Sequence, residues 1–117
     1  MQELDRLAPE GIAVSRVTVA EVYEGAFGED DPPLYLKKYR DFLKPFRKLG
    51  LNDRIVLRFA RIRSDLRKRG LIISDFDILL GATALEHGLT VLTNNRKHFE
   101  RIAGLSMLSA QRRGSNQ

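Results

Sequence analysis

Residues 73–95 read ISDFDILLGATALEHGLTVLTNN, and this stretch is the most informative part of the sequence about the fold. Residues 74–88 predict a helix, because serine is a favoured N-cap and glycine commonly follows the last helical residue. Residues 89–93 form a continuous apolar run of strand length, typical of a strand buried on both faces. Two carboxylates, Asp75 and Asp77, stand on the first turn of this otherwise apolar helix. Helix capping explains them, and so does a metal site.

The rest of the chain has the same alternation of short β-prone runs and longer helical patterns. Further strands are predicted at 12–14 and 105–108. Further helices are predicted from Ser15 or Thr18 to residue 28, and at 34–43, 53–69 and 96–102, with a loop at 28–33 (GEDDPP). Short strands separated by helices predict an α/β fold, a three-layer α/β/α sandwich with a short parallel sheet.

Length and composition limit the class of protein. The 117 residues suffice for one domain, which we place at residues 1–110, with a disordered polar tail at 111–117. The chain has no cysteine, which excludes disulfides and thiolate metal sites. Its apolar runs are too short to cross a bilayer, and its first residues do not resemble a signal peptide. We therefore expect a cytoplasmic protein without a membrane partner.

The basic charge points to a polyanion without deciding the matter. The formal net charge is +5, and nucleic acid is the commonest partner of such proteins. Most lysines and arginines alternate with apolar residues at helical spacing, so a solvated helix face explains them equally well.

Two helix starts carry carboxylates that have both a structural and a functional interpretation. Thr18 and Glu21 fit a capping box, and Ser74 and Asp77 fit a related cap. Both helices are otherwise apolar, however, and in parallel sheets ligands bind where the strands end. Carboxylates clustered at such an edge would repel one another unless a hard cation such as Mg²⁺ or Mn²⁺ lay between them.

The segments SRVTVAEVYEGA (15–26) and DFDILLGATALEHGLTVLTNNRKHFERIAGL (75–105) resemble the PIN-domain ribonucleases. The resemblance is strongest to the VapC-type toxins of toxin–antitoxin pairs, and it extends over residues 12–108. The shared pattern comprises a Thr-x-x-Glu helix, an Asp helix rich in alanine, and a strand ending in Thr-x-Asn. Each motif alone is weak, whereas the ordered set is fairly specific.

The resemblance implies a Mg²⁺- or Mn²⁺-dependent endoribonuclease. It makes Glu21 and Asp77 the catalytic, metal-binding carboxylates, and it makes Thr18 and Thr93 hydroxyls that line the site. Asn95 would be a polar group that fixes the turn after the strand. The implied partners are an RNA substrate, a cognate antitoxin and a second copy of the chain.

The sequence departs from the family pattern at two places. PIN domains open with a buried strand that ends in a metal-binding aspartate, and nothing here corresponds to it, since Asp5 lies in a polar helical stub. The chain is thus expected to be N-terminally truncated, through either a misplaced start site or a shortened gene, and its activity to be impaired. Secondly, His98 stands where many relatives have aspartate, and we interpret it as a surface histidine.

Two other classes of function remain open. One is a non-catalytic PIN remnant that acts as a partner-binding scaffold. The other is a nucleic-acid-binding module that uses basic helix faces alone, which ranks last because the chain contains no tryptophan and no known nucleic-acid-binding motif.

Overall fold

A computed structural model describes residues 12–93 and 96–109. The described residues belong to two compact units, one reaching to Gly50 and the other beginning at Leu51. The predictions for Asp5, for Asn95 and for the tail at 111–117 lie outside the described residues. The assignment of residues 1–110 to a single domain stays a prediction.

The first unit contains two strands and two helices. Strand β1 pairs in parallel with strand β2, placing Ser15 opposite Leu49, and helix α1 packs against helix α2. Ser15 is also the N-cap of α1, because its hydroxyl accepts a hydrogen bond from the Val17 amide at 3.0 Å. The elements are β1 (Ala13–Ser15), α1 (Arg16–Phe27), α2 (Pro32–Leu43) and β2 (Arg47–Leu49).

Two features of this unit differ from the sequence prediction. Strand β2 was not predicted, because three residues that include an arginine and a lysine carry no apolar strand pattern. Pro32 and Pro33 were predicted as loop residues, but they are the first two residues of α2, and Asp31 is its N-cap. Proline is tolerated in the first helical turn because its missing N–H has no helical partner there.

The second unit contains the helix and strand of the quoted stretch. Helix α3 packs against helix α4, and strand β3 pairs in parallel with β4, placing Thr93 opposite Ser109. The elements are α3 (Asp53–Lys68), α4 (Asp75–His87), β3 (Val91–Thr93), α5 (Arg96–Phe99) and β4 (Met107–Ser109).

The predicted helix boundaries in this unit are largely confirmed. Asn52 caps α3 by accepting a hydrogen bond from the Ile55 amide at 2.9 Å, and Ser74 caps α4. Gly88 ends α4 with φ of 65°, a left-handed conformation that glycine adopts without steric cost. His87 lies in the last turn of α4, where a basic residue favours the helix dipole.

The core of the second unit is built from both helices and the elements that follow them. The strand predicted at 89–93 is shorter than expected, since Leu89 is exposed and only Val91 of β3 is buried. Helix α5 ends at Phe99, three residues before its predicted end, and β4 begins at Met107. The main cluster of buried apolar residues consists of Leu66, Ile73, Ile78, Ala84, Val91, Phe99 and Ile102.

The predicted α/β class with short parallel strands is confirmed by these elements and their pairings. Within residues 12–93 and 96–109, no helix is long and apolar enough to cross a membrane.

Candidate active site

Asp77 lies in the first turn of α4, as predicted. Its backbone N–H donates to the Ser74 hydroxyl at 3.1 Å, which is the N-cap geometry expected three residues after the cap. The side chain is only 23% exposed, so the carboxylate is held near the core and not on a fully solvated face. A negative charge at this end of a helix is also favoured by the helix dipole.

The neighbouring acid, Asp75, has a different environment. Its Oδ1 accepts a hydrogen bond from Arg63 Nε at 2.7 Å, and its side chain is more than half exposed. This ion pair joins the first residue of α4 to α3. Asp75 is thus an acid of the first helical turn that forms an ion pair with Arg63.

His98 contacts the Asp77 carboxylate from the short helix α5. Its Nδ1 lies 3.2 Å from Asp77 Oδ2, and its side chain is 45% exposed. His98 therefore lies at the surface, as predicted, but it also contacts a candidate site residue, which the prediction did not include. Sequence spacing did not reveal this contact, although the departure from the family pattern at this position was a signal.

Glu21 and Thr18 lie on α1, but not as the capping pair that the sequence suggested. The N-cap of α1 is Ser15, so Thr18 is the third helical residue and Glu21 the sixth, beyond the first turn. The capping-box interpretation of Glu21 is therefore wrong. Residues three apart lie on the same side of a helix, which places the exposed Glu21 beside the half-buried Thr18.

The remaining site residues are only partly described. Thr93 is the last residue of β3 and is half-buried, as a strand-end hydroxyl at the sheet edge should be. Glu21 and Thr18 belong to the first unit, and Asp77 and Thr93 to the second. The convergence of these four residues on one pocket stays a prediction.

The donor chemistry of the candidate residues fits a hard divalent cation. Mg²⁺ commonly takes one or two carboxylates from the protein and completes its octahedron with water and substrate phosphate. Glu21 and Asp77 could supply these two carboxylates. Among the residues that the structure describes, no three Asp, Glu, His or Cys side chains are grouped so as to hold a metal.

Comparison with known proteins identifies the family. The sequence matches the PIN domain over residues 1–105. The chain is a PIN-domain protein. Ribonuclease VapC2 of Haemophilus influenzae is 34% identical over 94 residues, which are 80% of this chain and 71% of that protein. Within the PIN-domain family the chain therefore belongs with the VapC ribonucleases.

Solved structures agree with this assignment. The DNA-bound VapBC complex of Salmonella typhimurium contains a chain that matches with a TM-score of 0.85 and 26% identity, over 92% of this chain and 82% of that one. VapBC-1 of nontypeable Haemophilus influenzae matches with a TM-score of 0.83 and 27% identity, over 92% and 81% of the respective chains.

The second unit of this PIN-domain protein also has a basic groove between α3, α4 and the turn after α5. The groove has a volume of about 650 Å³. Glu86 of α4 forms ion pairs with Arg54 and Arg58. Arg61 forms no ion pair with any residue that the structure describes. The charged lining residues are Arg54, Arg58, Arg61, Arg101, Asp65 and Glu86.

Proposed function

We propose that this chain is a metal-dependent endoribonuclease and the toxin of a VapBC-type toxin–antitoxin pair, acting in the cytoplasm. The observation that carries the proposal is the half-buried Asp77 carboxylate at the start of α4, which His98 contacts through Nδ1. The relatives named ribonuclease VapC support the proposal.

In this proposal Glu21 and Asp77 hold Mg²⁺ or Mn²⁺, with Thr18, Thr93 and Asn95 lining the site. The bound cation would lower the pKa of a coordinated water and stabilise charge that develops on the phosphodiester. The protein's own contribution is the placement of the two carboxylates.

The basic groove is the part of the second unit best suited to hold the RNA backbone. Four arginines line it against two acids, so the groove keeps an excess of positive charge. Arginines in such a groove bind phosphates without regard to sequence, and their contribution falls as salt rises. RNA binding should therefore weaken steeply with ionic strength.

We also propose an antitoxin as partner and a homodimer as the assembled state. Two similar solved structures are of VapBC assemblies, which supports the antitoxin as partner. The first unit leaves large apolar side chains exposed, namely Phe27, Leu34 and Phe42, and such residues commonly mark protein contacts. Light scattering of the chain alone tests the dimer, and a strict monomer would contradict it.

The site itself is tested with Asp77→Asn, with Asp75→Asn as the matched control on the same helical turn. Mn²⁺ titrated into labelled protein should broaden NMR signals around residues 21 and 77. Asp77→Asn should remove this broadening and any chelator-sensitive RNA cleavage, whereas Asp75→Asn should keep both. Cleavage that persists in Asp77→Asn would refute the assignment of the site.

We expect RNA cleavage by the 117-residue polypeptide to be weak. The family resemblance assigns two metal-binding carboxylates to this sequence, Glu21 and Asp77, and Mg²⁺ held by two protein carboxylates relies on water and substrate phosphate for its other ligands. Mn²⁺ broadening at both carboxylates would support an impaired nuclease. Antitoxin binding without any Mn²⁺ effect would instead support the non-catalytic scaffold.

A further inference from the structure

The contact between His98 and Asp77 joins two residues that are 21 positions apart. A carboxylate offers only hydrogen-bond acceptors, so the His98 ring must present a proton on Nδ1 across the 3.2 Å that separates it from Asp77 Oδ2. Among the described residues, the side-chain hydrogen bonds of Asp77 involve Oδ2 alone. The contact therefore fixes one oxygen and leaves Oδ1 for another partner.

The position of His98 is set by its neighbours in the core. Helix α5 has four residues, too few to be stable without tertiary contacts. Phe99, directly after His98, is 2% exposed, and Ile102 is 3% exposed. These two side chains anchor α5 and the following turn to the core that α4 also builds.

Gly81 explains how closely this segment approaches α4. It lies four residues after Asp77 and therefore on the same side of the helix. A Cβ at Gly81 would lie 2.8 Å from Ile102 Cδ1, closer than packed atoms permit. A glycine inside a helix is less favourable than alanine, so a packing reason for it is expected. Here the reason is that the Ile102 side chain packs directly against the backbone of α4 at Gly81.

We propose that His98 is a positioning residue for Asp77. The packing of Phe99 and Ile102 against α4 holds the ring in place, and its Nδ1–H fixes the rotation of the carboxylate. Hydrogen-bond partners of metal-binding carboxylates commonly act in this way, and their loss costs about 10–100-fold in metal affinity or activity. The effect on the reaction rests on the proposed function, whereas the hydrogen bond does not.

The hydrogen bond is tested without metal or substrate. Long-range ¹H–¹⁵N NMR at about pH 8, where a free imidazole is neutral, reports which ring nitrogen carries the proton. We expect the Nδ1–H form for His98 and loss of that preference in Asp77→Ala. His87, at the other end of α4, is the internal control and should not change. A His98 tautomer that is the same in both proteins overturns the proposal.

The positioning role is tested by pairing a disruptive with a conservative substitution. His98→Leu removes the donor, whereas His98→Asn keeps an N–H close to the place of Nδ1. We expect Mn²⁺ affinity and RNA cleavage to fall about 10–100-fold in His98→Leu and to be partly restored in His98→Asn. His87→Leu should resemble the wild type.

The NMR experiment and the His98 substitutions together distinguish failure of this inference from failure of the proposed function. Mn²⁺ affinity in His98→Leu that equals the wild-type value overturns the positioning role while the metal site stands. A wild-type protein that binds no Mn²⁺ overturns the proposed function and the role together, even if the ring spectrum shows the hydrogen bond. Equal losses in His98→Asn and His98→Leu count against a role for the donor.

Discussion

Substitution of Gly81 by alanine should fail to stabilise the protein, although it improves helix propensity. In an open helix position, glycine to alanine gains up to about 1 kcal/mol. At Gly81 the new methyl would lie 2.8 Å from Ile102 Cδ1 and 3.7 Å from Leu105 Cδ2. Because Ile102 is buried, its side chain can yield only by repacking the core, and overpacking typically costs about 1–3 kcal/mol. We expect a net loss of about 0–2 kcal/mol.

Gly25 provides the matched control, because it also lies in a helix but has no atom within 4 Å of an added Cβ. Gly25→Ala should raise the free energy of unfolding by up to about 1 kcal/mol. Urea unfolding followed by circular dichroism measures both variants. The two substitutions should therefore differ by about 1–3 kcal/mol.

A double-mutant cycle locates the cause. Ile102→Val removes the Cδ1 methyl and alone should cost about 0.5–1.5 kcal/mol. In the Gly81→Ala background the same change also relieves the clash, so its cost should fall by about 1 kcal/mol or change sign. Independent, additive effects of the two substitutions, or stabilisation by Gly81→Ala equal to that of Gly25→Ala, would refute the packing argument.

Three further predictions concern the second unit. Ser74→Ala should destabilise the protein by about 1 kcal/mol in urea unfolding, because it removes the N-cap of α4. Burial raises the pKa of Glu86, but hydrogen bonds from Arg58 and Arg54 outweigh this effect and hold the pKa below its ordinary value of 4.5. Glu86→Gln should therefore lower the free energy of unfolding near neutral pH. The difference in this free energy from wild type should disappear as the pH falls below 4.5 through the folded-state pKa. Arg61→Ala should lower the slope of log RNA affinity against log salt by about 0.7, if the groove binds the backbone; an unchanged slope would exclude Arg61 from the contact.

The candidate site could be predicted from the sequence only in part. The family motifs gave Glu21 and Asp77, and the structure places Asp77 on the predicted helical turn. The sequence left the cap of α1 open between Ser15 and Thr18, because both are good N-caps by residue type. Ser15 is the cap because it ends a strand that pairs with β2, a partner more than 30 residues away. His98 was missed because nothing in its local sequence encodes its neighbour.

The sequence by itself determined the features whose physics is local. Ser74 and Gly88 define the ends of α4 through hydrogen bonds and backbone conformation within a few residues, so their types and positions suffice. Tertiary structure decided the features whose stability comes from distant partners. Strand β2 exists because the backbone of Arg47–Leu49 pairs with β1, whatever its side chains. The contact of His98 with Asp77 exists because Gly81 leaves room for Ile102, a packing relation that no local pattern reveals.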